Sequence, residues 1–100
     1  MLDLVKKVLR IMTDAFDDEI LLLIEGGIKD LLLTGITFEY STETTDDVVT
    51  DYTVDDVLVK RAVATYCRCH FGQPNEYDRL KAAYDEQKAQ LMSNHEYWEA

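Results

Sequence analysis

The stretch that decides the fold is residues 58–72, L-V-K-R-A-V-A-T-Y-C-R-C-H-F-G. At about 100° per residue, its apolar side chains fall on one face of a helix and its basic side chains on the other. Gly72 and Pro74 come at its end, and glycine and proline commonly end helices. The sequence therefore predicts an amphipathic third helix over residues 54–71, preceded by a capping box at Thr53-Val54-Asp55-Asp56.

The same stretch holds both cysteines of the chain and one of its two histidines, within Cys67-Arg68-Cys69-His70. A metal or redox module is one hypothesis for this cluster. However, the wheel places Cys69 inside the apolar face and Cys67 at its far edge, so the two sulfur atoms point apart. Only Cys67 and His70 share a face, and a tetrahedral zinc site needs four converging ligands. We therefore expect no metal, no cofactor and no intramolecular disulfide.

The basic face of this helix carries Lys60, Arg61 and Arg68 on a chain that is otherwise strongly acidic. There are 20 Asp and Glu against 10 Lys and Arg, for a net charge of −10. Such a chain is a poor ligand for phosphate backbones, because it has no surplus of cations to displace counterions. We expect the basic face to pair with carboxylates, within the monomer or across an interface. An alternative function from the charge alone is a small acidic regulator or DNA mimic that binds a basic partner.

Two helices are predicted before this one. The first spans residues 2–12, and the second spans residues 16–33, with Thr13 or Asp14 as its N-cap and Gly35 as its C-cap. Both show apolar residues at helical spacing. Because the second helix is apolar over a broad arc, it is expected to form much of the core.

Three residues of the second helix fall outside its core arc: Leu22, Gly26 and Leu33. A single domain of this length can hardly bury a helix on every side. We therefore predict that these residues form a second stripe at a subunit interface, together with Arg61 and Arg68 of the basic face.

Residues 34–54 have a different pattern, with apolar and polar residues alternating around 36–40 and 48–54. Period two predicts strands, hence a β-hairpin or a long acidic loop between the second and third helices. No lysine or arginine occurs between Lys29 and Lys60. The acids of this segment include Glu39, Glu43, Asp46, Asp47 and Asp51.

A fourth helix is predicted over residues 77–92, followed by a tail over 93–100. The tail contains Tyr97 and Trp98, two large aromatics without a continuing helical stripe to bury them. The alternatives are a fourth helix that simply runs on, or an anchor that is loose in the monomer and docks on a neighbour. The expected fold is therefore mainly α: a single four-helix domain over residues 1–92, with a tail.

No motif of a common enzyme class is present, neither a phosphate-binding glycine loop nor a zinc-protease or nucleophile-elbow signature. We therefore expect a protein that is not an enzyme. The longest apolar run, Ile20 to Ile24, is far too short to cross a membrane, and the N-terminus lacks a signal-peptide pattern.

Four stretches together resemble the phage head–tail connector family, also called head-completion or adaptor proteins. They are M-L-D-L-V-K-K-V-L-R-I at the N-terminus, D-D-E-I-L-L-L-I-E, the stretch 58–72, and the helix from Tyr77 with Y-D-E-Q at 84–87. The resemblance implies a virion protein, made in the host bacterial cytoplasm, that forms a ring of about a dozen copies below the portal. No catalytic or cofactor residues come with it.

The resemblance also implies partners and a use for the acidic segment. The ring would contact the portal protein and the next head-completion or tail-completion protein, and DNA would pass through its channel without specific binding. Under this hypothesis Glu39, Glu43, Asp46, Asp47 and Asp51 face the channel or the next ring. Tyr97 and Trp98 would then anchor the subunit to the portal or to a neighbouring subunit.

Overall fold

The computed structural model describes residues 1–72 and 75–97. Four helices and one hairpin follow in chain order: α1 (Leu2–Leu9), α2 (Asp17–Thr34), β1 (Tyr40–Thr45), β2 (Val48–Val54), α3 (Val57–His70) and α4 (Tyr77–Met92), then a 3₁₀ turn (His95–Tyr97). The mainly α fold is confirmed. Of the two structures expected between α2 and α3, the chain adopts the hairpin.

Helix α3 occupies the centre of the fold and packs against each of the other three helices. Its buried side chains meet a row of large aliphatic residues on α2. The principal core residues of these two helices are Ile20, Ile24, Ile28, Leu31, Val59, Ala62, Val63 and Cys67. Burying such side chains contributes roughly 1.5–3 kcal/mol each relative to leaving them in water, so this pair of helices holds the domain together.

The start of α3 differs from the predicted capping box. The helix begins at Val57, and its N-cap is Asp56, whose Oδ1 accepts hydrogen bonds from the N–H groups of Leu58 (2.9 Å) and Val59 (3.0 Å). Thr53 is not the cap, because it lies within the strand β2, which continues through the buried residue Val54.

The start of α2 also differs. Its N-cap is Phe16, without a side-chain cap, so Thr13 and Asp14 were wrong predictions. Asp14 instead forms an ion pair with Lys6 of α1 at 2.9 Å, and Lys6 also reaches Asp17 at 2.8 Å. The carboxylate that was expected to cap α2 thus lies in an ion pair that links the connection between the two helices to α1.

Helix α1 ends earlier than predicted, at Leu9 rather than Met12. Arg10 adopts a left-handed backbone conformation with φ 61°, and the N–H of Ile11 donates to Lys6 O at 2.9 Å. This is the arrangement that commonly closes a helix. Met12 therefore lies in the connection to α2, where it is exposed.

The hairpin pairs β1 and β2 antiparallel, with Tyr40 opposite Val54 and a bulge after Glu43. Asp46 and Asp47 at the turn have φ 53° and 64°, as a two-residue type I′ turn requires. Strand β2 buries side chains against the helices, whereas every residue of β1 is exposed and, among the described residues, β1 pairs with β2 alone. The hairpin therefore projects from the helical body.

The first predicted strand begins later than expected because Ile36 is held against the end of α2 by a backbone hydrogen bond. The N–H groups of Gly35 and Ile36 donate to Leu32 O (3.0 Å) and Leu31 O (3.1 Å), and Ile36 is fully buried. Gly35 has φ 106°, a conformation that favours glycine, so its predicted role as C-cap is confirmed.

Helix α4 covers the predicted residues and is tied to α2 by one carboxylate. Asp30 Oδ2 accepts a hydrogen bond from the hydroxyl of Tyr84 at 2.5 Å and lies 3.4 Å from Lys88 Nζ. Among the helices that the structure describes, none is long and apolar enough to cross a lipid bilayer.

Candidate subunit-interaction surfaces

The cysteine cluster lies in the core of the subunit. Cys67 and Cys69 are both buried free thiols, which corrects the placement of Cys67 at the edge of the apolar face. Burial, with a smaller contribution from Cys69, raises the pKa of Cys67 to about 12. At neutral pH this thiol is therefore protonated and a poor nucleophile. Cys67 is a small apolar core residue rather than a reactive one.

His70 lies apart from the two thiols. It is exposed, and its ring stacks near that of Tyr66, with 4.3 Å between centroids. In the described part of the chain, no three histidine, cysteine, aspartate or glutamate side chains converge in a way that could hold a metal ion.

The outer side of α2 exposes two large apolar residues, Leu22 (70 % exposed) and Leu33 (88 % exposed). We call these two residues the outer stripe. Both project away from the row of core residues on the same helix. Exposed leucines are available to a partner surface, and the contact of these two residues with a second subunit stays a prediction.

Gly26 packs against another helix of the same subunit, and its place at a subunit interface stays a prediction. A Cβ atom at this position would lie 3.0 Å from Tyr66 Oη, and a Cβ at Gly27 would lie 3.2 Å from Tyr66 Cδ1. The two glycines therefore make room for the Tyr66 ring of α3 inside the subunit. The lack of a side chain at Gly26 is therefore used for packing between α2 and α3.

A groove runs between α1 and α3 on the surface of the subunit, with a volume of about 350 Å³. We call it the α1/α3 groove. Apolar side chains and three bases line it: Leu4, Val8, Val57, Lys60, Arg61, Ala64, Thr65 and Arg68. Its apolar lining includes Val57, which is 66 % exposed. The predicted basic face of the third helix thus forms one side of an open apolar groove.

The bases of the α1/α3 groove have no partner within the described part of the subunit. Ion pairs there involve the chain start, Lys6, Arg79, Lys81 and Lys88, and none involves Lys60, Arg61 or Arg68. The expectation that these residues pair with carboxylates inside the monomer is therefore wrong for the described residues. Pairing across an interface stays a prediction.

The hairpin presents most of the predicted acids to solvent. Glu39, Glu43, Asp46 and Asp47 are all exposed, and the last two form the turn at its tip. We call Glu43, Asp46 and Asp47 the acidic tip. Like charges gathered on a projecting hairpin create a local negative field that reaches about 8 Å at physiological salt.

Asp51 does not belong with the other acids of the hairpin. Its Oδ1 accepts hydrogen bonds from the N–H of Leu2 (2.9 Å) and from the N–H of Tyr52 (2.7 Å). Asp51 therefore attaches α1 to β2 within the subunit, and its place facing the channel or the next ring stays a prediction.

The C-terminal segment is fastened to the body through Tyr97, which was expected to be loose. The hydroxyl of Tyr97 donates to Asp56 Oδ2 at 2.7 Å, and its carbonyl accepts a hydrogen bond from the N–H of Thr37. The hydrogen bond to Asp56, and secondarily partial burial, raise the pKa of Tyr97. Trp98, the other predicted anchor, lies outside the described residues.

Sequence reasoning missed the α1/α3 groove and the double role of Asp56. The groove needs α1 beside α3, a packing that the periodicity of a single helix does not specify. The sequence identified Asp56 only as part of a cap. The one signal for its second partner was that no apolar stripe explains the tyrosine at position 97.

Comparison with known protein families gives one match, to a family described as phage connector protein, over residues 1–98. Neither the search of curated proteins nor that of solved structures returned a match. The family match covers all four helices, the hairpin and the fastened C-terminal turn. Because it spans nearly the whole sequence, the chain belongs to the phage connector protein family.

Proposed function

We propose that this phage connector protein is a head–tail adaptor that assembles as a ring of about a dozen copies below the portal. The ring extends the channel through which DNA leaves the head and provides the platform to which the tail attaches. The family match over residues 1–98 is the observation that carries the proposal. The role is structural and requires no catalytic group.

Two surfaces support assembly with further copies. The outer stripe, Leu22 and Leu33, leaves large apolar side chains in water, and the α1/α3 groove leaves Arg61 and Arg68 without a carboxylate in the described subunit. An isolated soluble domain gains nothing from either feature. Both are accounted for if other proteins cover them in the particle.

The charge of the projecting hairpin supports a position near DNA or near the next ring. The acidic tip would repel the phosphate backbone, so DNA would slide past without binding. This effect requires the tip to lie within about a Debye length, ~8 Å, of the DNA path. The remaining partners are the portal on one side and a completion protein on the other. Trp98 stays a predicted anchor for the portal or for a neighbouring subunit.

Deletion of the gene from the phage that encodes this protein tests the proposal. Electron microscopy of the resulting particles should show heads that have packaged or leaked DNA but lack tails. Supplying the gene on a plasmid should restore complete particles. Normal tailed particles without the protein would contradict the adaptor role.

A further inference from the structure

The α1/α3 groove limits the chemistry of what can cover it. A partner must bring apolar surface for Leu4, Val8 and Val57, and negative charge for Arg61 and Arg68. A groove filled only by water would leave the apolar side chains uncovered, and a purely acidic segment would pair with the bases but leave the same apolar surface wet. The occupant therefore carries a projecting apolar side chain with carboxylates beside it.

The subunit itself carries such an element at the start of α2. Leu22 lies one helical turn after Asp18 and Glu19, at spacings of four and three, which puts all three side chains on neighbouring positions of one face. Asp18 and Glu19 are exposed and, within the described residues, neither forms an ion pair. We call these three residues the α2 knob.

Other exposed segments fit the groove less well. Leu33 lies near Asp30, but that carboxylate is already bound by Tyr84 and Lys88. The acidic tip of the hairpin adjoins Val48. The side chain of Val48 is smaller than that of leucine, and many of the residues around it on the hairpin are threonines. The α2 knob combines a leucine that is largely exposed with two carboxylates that form no ion pair among the described residues.

We propose that the α2 knob of one subunit inserts into the α1/α3 groove of the next copy, with Leu22 on the apolar lining and Asp18 and Glu19 beside Arg61 and Arg68. The two surfaces share no described residue, and in the proposed head-to-tail contact each subunit uses its knob on one neighbour and its groove on the other. Repeated head-to-tail contacts close into rings when the rotation allows. This inference rests on the proposed ring and names the surfaces that join its subunits.

Disulfide trapping between the two surfaces tests the contact. Leu22→Cys and Thr65→Cys are placed in one chain, and the phage particles assembled with it are oxidised. A head-to-tail contact should give a ladder of cross-linked species up to the full ring, whereas either single variant should give none. The native thiols should not interfere, because Cys67 and Cys69 are buried. Cross-linking of Leu22→Cys alone would mean that the same face meets itself, and would overturn the proposal.

A charge exchange provides a second test that does not depend on disulfide geometry. Arg61→Glu with Arg68→Glu should prevent assembly, and adding Asp18→Lys with Glu19→Lys in the same chain should restore it. Leu22→Ala should weaken self-association by on the order of tenfold to a hundredfold, since most of a leucine side chain loses its cover. Assembly that persists in the arginine variant, or that the lysines fail to restore, would overturn the contact.

These outcomes separate the contact from the function. Complete, tailed particles that contain the double-cysteine chain but yield no ladder would refute the α2 knob while leaving the adaptor role intact. Particles that complete normally with the gene deleted would instead refute the adaptor role itself.

Discussion

Replacing Asp56 by alanine should destabilise the subunit by more than any other exposed substitution near α3. The carboxylate accepts three hydrogen bonds, from Leu58 N (2.9 Å), Val59 N (3.0 Å) and the hydroxyl of Tyr97 (2.7 Å). Loss of an N-cap costs about 1 kcal/mol. A hydrogen bond to a charged group contributes about 1.5 kcal/mol at the lower end of its range, which suits the partly exposed Tyr97. The expected loss in the free energy of unfolding is therefore about 2–3 kcal/mol, or roughly 10 °C in Tm.

Thermal and urea unfolding followed by far-UV circular dichroism measure this loss. Asp55→Ala is the matched control, because Asp55 is exposed and makes no hydrogen bond within the described part of the chain; its effect should stay within about 0.5 kcal/mol. Tyr97→Phe removes only the hydroxyl. Combining it with Asp56→Ala should cost about 1 kcal/mol less than the sum of the single changes, because both remove the same bond.

Two results would refute this reasoning. Equal stability of the Asp56→Ala and Asp55→Ala variants would mean that the cap contributes nothing. Strict additivity between Asp56→Ala and Tyr97→Phe would mean that the two side chains do not interact, and that the Tyr97 hydroxyl does not hold the C-terminal segment.

Three further predictions concern assembly, charge and pH. Leu22→Asp should leave the monomer folded but abolish rings, whereas Ile24→Asp, at a fully buried position two residues further along the same helix, should unfold the chain. An unfolded Leu22→Asp monomer would show that Leu22 is a core residue. Replacing all three residues of the acidic tip by lysine should hinder DNA passage or retention in particles whose rings still form; Asp46→Asn and Asp47→Asn are uncharged controls that tolerate the turn. Unaltered DNA release would show that the hairpin does not face the channel. Burial raises the pKa of Cys67 from 9.0 to about 12, so the unfolding free energy should fall with rising pH between these two values, by up to about 1.4 kcal/mol per pH unit. Cys67→Ala should flatten the dependence of the unfolding free energy on pH in that range.

The helices were predictable because their signal is local. Apolar spacing within 58–72 and within α2, together with Gly35, gives the order of elements without knowledge of their packing. The alternation around residues 48–54 likewise identified β2. These features depend on residues a few positions apart, which is the range over which a sequence pattern is informative.

The failures depend on residues that are distant in sequence. Asp14 does not cap α2, whose N-cap is Phe16, but pairs with Lys6 of the preceding helix. Tyr97 is not loose because Asp56 lies 41 positions earlier with a free carboxylate oxygen. Gly26 was placed on the outside because a wheel drawn for one helix does not show the Tyr66 ring of another. Each error concerns a contact that only the packing of two elements defines.

The open edge of β1 has a consequence for aggregation. A fully exposed strand whose one side is unpaired among the described residues offers backbone N–H and C=O groups to any similar edge, including that of another copy. Two copies whose β1 strands paired in parallel would bring their acidic tips together, so charge repulsion opposes stacking of the subunits in that arrangement. That protection depends on ionised carboxylates, and it would fade as the solution approached the isoelectric point of about 4.4, where sheet-like aggregates should replace soluble subunits.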